Sequence, residues 1–129
     1  MSARPVSCLA KAVKSDETIE YSPDINDVMK WHKIFNKEIF KNRCPKFNSI
    51  VIRKRRDTWG ECYGHQCEEY FALNIERFYG SLTNFLQILA HEMIHAIEYN
   101  EQGKMAHGQF FWSWKNKLAK KGLELKDRY

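Results

Sequence analysis

Residues 82 to 100 place the tightest constraint on the fold. Leu82, Phe85, Leu86, Ile88, Leu89, Ala90, Met93, Ile94, Ala96 and Ile97 fall around most of a helical wheel, so a helix here is buried on nearly every side. His91, Glu92 and His95 stand within that apolar run in the HExxH spacing. Residues four apart share one helix face, so both imidazoles can reach a single cation at about 2.0–2.1 Å, with the glutamate beside it as a proton acceptor. Three polar side chains on an apolar helix lose hydration unless something in the interior compensates them, and a metal ion does so. The other solution is hydrogen bonding of both histidines to backbone or carboxylates in the core.

A catalytic zinc site takes three protein ligands and keeps one position open for water. Glu98 is poorly placed as the third, about 10 Å along a straight helix axis from His91. No histidine stands six residues after His95, and Glu98 occupies the position where a metzincin has glycine, so that pattern is excluded. His107 follows the turn at residues 101–106 and has enough chain to return over the site, with Glu124 as the alternative.

The surrounding chain reads as one α+β domain. Ser22, Pro23 and Asp24 form a helix start, with Ser22 as the cap, and the helix runs to about Lys41. Val28, Trp31, Phe35 and Ile39 share its inner face, while Lys30, Lys33, Lys37 and Lys41 line the opposite one. Strands are expected at 47–53 and at about 70–75, forming a small antiparallel sheet; their connection suits a hairpin, and an extra strand within it stays open. A last helix runs from about Gln109 to Lys121, closed by Gly122. Residues 1–21 are expected to be a flexible N-terminal segment, with the domain spanning 22–129.

With 43% hydrophobic and 29% charged residues in 129, the chain can build a single core. It has no apolar run long enough for a membrane span, and its first 20 residues lack the apolar stretch of a secretory signal. A cytoplasmic location is expected, or the nucleus in a eukaryote. Cys8, Cys44, Cys62 and Cys67 are too few and too uneven for a disulfide framework and read as free thiols. Cys62, Cys67 and His65 fit no standard metal-ligand spacing.

Charge is segregated along the chain. Residues 1–60 hold 13 Lys/Arg against 7 Asp/Glu, residues 61–103 hold 1 against 7, and residues 104–129 hold 7 against 2. The basic arms suit contact with phosphates, as well as an ordinary solvated surface. Lys30, Lys33, Lys37, Lys41, Arg53, Arg55 and Arg56 are the candidate nucleic-acid contacts. Trp59, Phe111, Trp112 and Trp114 either pack around the histidine helix or stack on bases.

The segment His91-Glu92-Met93-Ile94-His95-Ala96, followed by His107-Gly108-Gln109-Phe110-Phe111 and Trp114, resembles the SprT-like zinc metallopeptidases, which include the DNA–protein crosslink protease Spartan. Upstream, Trp59-Gly60-Glu61-Cys62 looks like that family's Trp-Gly-x-Cys segment, and Phe71-Ala72-Leu73-Asn74 looks like the strand after it. The resemblance implies a zincin-like minimal fold, one zinc on His91, His95 and His107, Glu92 as general base, and hydrolysis of a protein substrate near or on DNA, single-stranded DNA included. It covers about residues 24–122; the Cys-rich zinc ribbon of many bacterial members has no counterpart in residues 104–129. Tyr63, His65 and Tyr99 are candidate donors to a developing oxyanion. The competing expectations are a catalytically silent basic nucleic-acid-binding module with a structural zinc, and a zinc hydrolase acting on another bond.

Overall fold

The computed structural model describes residues 7–54, 60–65 and 70–128. The helix α1 spans Cys8–Lys14, within the N-terminal stretch expected to be flexible, and its Leu9 is fully buried. Ser7 caps it, and the Glu38 carboxylate accepts from the Ser7 hydroxyl and from the N–H groups of Cys8 (2.8 Å) and Leu9 (3.3 Å). These bonds satisfy donors that a helix start leaves open.

The second helix, α2, spans Ile25–Phe35. Its cap is Asp24, two residues later than the Ser22 start expected from sequence. Asp24 accepts from the Asp27 N–H (2.7 Å) and Asp27 accepts from the Asp24 N–H (3.0 Å). This reciprocal pair satisfies two donors where Ser22 alone would satisfy one, and it puts carboxylates at the positive end of the helix. Val28, Trp31, Phe35 and Ile39 are buried as expected. The helix widens into a π-helical turn, Asn36–Phe40, and ends where Lys41 and Asn42 take positive φ. Buried Asn36 exchanges two hydrogen bonds with the Cys44 backbone (2.9 and 3.1 Å), which folds the following loop back.

Strands β1 (Ser49–Ile52), β2 (Gly60–His65) and β3 (Tyr70–Ile75) form one sheet in the order β1-β3-β2. The two strands foreseen from sequence, β1 and β3, run parallel, with Ser49 opposite Ala72 and Ile52 opposite Ile75, not antiparallel as expected. The connection between them contains β2, which pairs antiparallel with β3, Gly60 opposite Ile75. One additional reversal makes β1 and β3 parallel, so the sheet is mixed.

The central helix, α3, spans Leu82–Gln102, with Ser81 capping the Asn84 N–H and Gly103 closing it at φ 73°. Its buried side chains join those of α2 and β3 in the core. The single C-terminal helix expected over 109–121 is two short ones, α4 (Gln109–Trp112) and α5 (Lys115–Ala119). Ser113 donates its hydroxyl to the Phe110 carbonyl (2.5 Å), competing with the helical ladder at the break. Gly122, at φ 82°, turns the chain so that Leu123 and Leu125 are buried, and Gln87 accepts from the Glu124 N–H (2.9 Å). Among the described residues no helix is long and apolar enough to cross a membrane.

Candidate metal centre

One face of α3 carries His91 and His95, and the loop after Gly103 brings His107 to them. Their Nε2 atoms converge: His95 lies 3.1 Å from both His91 and His107, and His107 lies 3.4 Å from His91. A tetrahedral ion holding nitrogens at about 2.0–2.1 Å sets those nitrogens about 3.3 Å apart. The spacing is that of three ligands to one ion, and the three histidines form a group able to hold a metal.

The protonation pattern suits the same role. The Lys126 carbonyl can only accept, so the His91 Nδ1–H donates to it (2.9 Å), which leaves Nε2 with its lone pair facing the other rings. Burial lowers the pKa of both His91 and His95 to about 4; the Lys126 carbonyl opposes this at His91, and the neighbouring imidazoles add to it at His95. Neutral imidazole is the form that binds metal. Phe111, fully buried, packs beneath all three rings, with centroids at 5.0 Å from His91, 5.5 Å from His95 and 4.8 Å from His107. His95 Nδ1, on the side of the ring away from the centre, is buried without a hydrogen-bond partner among the described residues.

Glu92, 6% exposed, places a carboxylate oxygen 3.7 Å from His91 Nε2, beside the centre rather than within the ligand group. Two neighbours pack close to it. Gly60 lets the β2 backbone approach so nearly that a Cβ there would lie 3.3 Å from Glu92 Cγ. Burial and the Glu92 charge together push the Cys62 thiol far up, so it stays protonated; buried Cys44 is likewise raised, by burial and by Cys62. Cys8, Cys44 and Cys62 are free thiols.

Of the other sequence candidates, Glu124 is outside the ligand group; it is exposed and pairs with Lys126 (3.7 Å). Lys30, Lys33, Lys37, Lys41 and Arg53 are all exposed. Lys41 shares a cleft of about 270 Å³ with Lys117, Lys120 and Lys121. Arg55, Arg56, Trp59, Cys67 and the side chains of Tyr63 and His65 lie outside the described residues. The Tyr99 ring packs edge-on against Phe71 (6.0 Å). Phe111 and Trp114 are core residues, whereas Trp112 is 38% exposed and donates its Nε1–H to the His107 carbonyl (3.1 Å).

Sequence reasoning missed three contributors: the Lys126 carbonyl, the close approach at Gly60 and a bond from buried Glu98 to the His107 loop. A backbone carbonyl has no residue signature, although the Trp-Gly-x-Cys segment did mark Gly60. No curated protein matches the chain. The SprT-like family model matches residues 28–128, a span that begins in α2 and includes all three histidines and Glu92, and the chain belongs to the SprT-like family.

Proposed function

We propose that the chain is a zinc-dependent metallopeptidase with a zincin-like core, hydrolysing peptide bonds in proteins on or near DNA. The convergence of three Nε2 atoms with the Glu92 carboxylate beside them carries this reading. His91, His95 and His107 would hold the ion. Bound there, zinc would supply Lewis acidity, lowering the pKa of water toward about 7 and polarising a carbonyl. Glu92 accepts the proton of the attacking water at its carboxylate and delivers it to the leaving amine. The Lys126 carbonyl fixes the His91 tautomer, and Phe111 keeps water from the inner side of the three rings.

A structural zinc in a silent binding module is the weaker reading, because structural sites are closed by four protein ligands and the group among the described residues supplies three. The exposed Lys30, Lys33, Lys37, Lys41 and Arg53 support a DNA-facing surface. The test uses purified protein with casein or histone as substrate and single-stranded DNA present. Glu92→Gln should retain one zinc per chain and lose cleavage by at least about 100-fold, the scale of a general base. His107→Ala should lose zinc and cleavage together. Zinc-loaded wild type that cleaves no protein, yet binds DNA as tightly as Glu92→Gln does, would replace the peptidase reading with the binding module. DNA affinity that stays flat as salt rises would remove the basic surface from the proposal.

A further inference from the structure

His107 is the one ligand outside regular structure, and it is exposed, so something must hold its loop where the two helical ligands point. The helix that carries His91 and His95 also carries Glu98, seven and three residues further on and therefore on the same face. Glu98 is 2% exposed, and its Oε1 accepts the N–H of Ala106, the residue before His107, at 3.0 Å. Gly103 first reverses the chain, its N–H bonded to the Tyr99 carbonyl (2.9 Å), and residues 104–106 then run back to Glu98. On the far side of His107, Trp112 holds the carbonyl. The third ligand is thus held from both sides, by the ligand helix at the N–H of the residue before it and by Trp112 at its own carbonyl.

We infer that Glu98 is a positioning residue for the metal centre, closing the His107 loop onto α3 so that the three-nitrogen site exists before metal arrives. This rests on the reading of the three histidines as ligands. A buried carboxylate is costly unless it is hydrogen-bonded, so its presence needs a purpose beyond packing. Glu98 is too far along the helix to be a ligand, and its reach to a backbone N–H supplies one. Ordering the loop in advance spares the zinc the entropy of ordering it on binding.

The experiment compares full-length wild type with Glu98→Met and Glu98→Gln. Methionine keeps the length and fills the buried space without a strong acceptor; glutamine keeps an oxygen for Ala106. Zinc affinity is read by competition with a chromophoric chelator, and amide exchange over residues 104–107 is read in metal-free protein. The expected result for Glu98→Met is zinc affinity lowered about 10-fold or more, the scale of outer-shell losses. Exchange at Ala106 should quicken by a similar factor while the metal-free melting temperature holds or rises. Glu98→Gln should stay near wild type in all three. A merely structural glutamate would move melting temperature and zinc affinity down together, and that outcome overturns the inference, as does Glu98→Met with unchanged affinity and exchange. If wild type takes up no zinc, the three-histidine reading fails, and the Ala106 exchange rate still decides whether Glu98 holds the loop.

Discussion

Gly60→Ala tests how closely β2 is fitted against α3. A Cβ at this position would sit 3.3 Å from each of three carbons: Glu92 Cγ, Ile75 Cγ2 and Ile88 Cγ2. Each is a few tenths of an ångström inside the optimum of about 3.5–4.0 Å for carbon pairs. Ile75 and Ile88 are 1% and 5% exposed and β-branched, so neither can swing away, and the Glu92 side chain is the partner that gives. Gly60 is not among the positive-φ glycines, so alanine meets no backbone strain there. Without crowding, the substitution would stabilise by about 0.4–1 kcal/mol through the unfolded chain. Overpacking costs about 1–3 kcal/mol, so the net runs from about zero to a loss of about 2.6 kcal/mol. At about 3–5 °C per kcal/mol for a domain of this size, the melting temperature should fall by up to about 13 °C.

The activity effect has a separate size. A 1 Å displacement of a reacting group costs about 100-fold, so a displacement of a few tenths of an ångström should lower kcat by about 3- to 10-fold. Zinc stoichiometry should not change, because Glu92 is outside the ligand group. The assays are calorimetry, steady-state proteolysis and metal content on the same preparation. A variant more stable than wild type with full kcat would refute the packing argument, because crowding and not glycine's flexibility is what reverses the sign.

Two further expectations concern stability. Burial pushes the Glu38 carboxyl up, but its bonds from Ser7, Cys8 and Leu9 and the Lys121 charge outweigh this and hold it below its usual value. A carboxyl lowered in the fold contributes stability present above its unfolded pKa and lost as pH falls through the folded one. Glu38→Gln should therefore be destabilised at pH 6, by about 1–3 kcal/mol if the charged hydrogen bonds are the cause, and the gap should narrow toward pH 3. Urea denaturation at several pH values measures it, and a gap independent of pH would remove the charge from the explanation. Zinc supplied at 1,000 times its Kd should add about 4 kcal/mol of stability, some 12–20 °C in melting temperature, reversed by chelator and absent in His107→Ala.

The parts of this fold legible in sequence are those whose signals are local. The helix α3 carries its own cap in Ser81, its own stop in Gly103 and an apolar pattern between them, and the i, i+4 spacing put His91 and His95 on one face in advance. For a third ligand the sequence offered His107 with Glu124 as the alternative, and the structure brings His107 to the other two histidines. The direction of β1 relative to β3 was not legible, because it depends on whether the connection contains a third strand. The start of α2 was misplaced by two residues because Ser22-Pro23 and Asp24 with Asp27 are both valid helix starts, and only the geometry selects the reciprocal pair. Glu98 was weighed as a ligand and set aside on helical rise, which was sound. Spacing rules for ligands do not register a side chain that serves a backbone N–H.

The metal centre draws on four separate stretches of chain, and this determines how it should fail. The helix α3 supplies two histidines and Glu92; the 104–107 loop supplies the third histidine; the tail after Gly122 supplies the carbonyl behind His91; and β2 presses Gly60 against Glu92. Only the first of these is local. Disturbing the tail or β2 therefore acts on different atoms of the site: the tail on a ligand's tautomer and hence on metal affinity, β2 on the base and hence on turnover with the metal retained. On the metallopeptidase reading, loss of zinc and loss of chemistry should be separable because His91 and Glu92, adjacent in sequence, are contacted by different stretches of chain, the tail and β2.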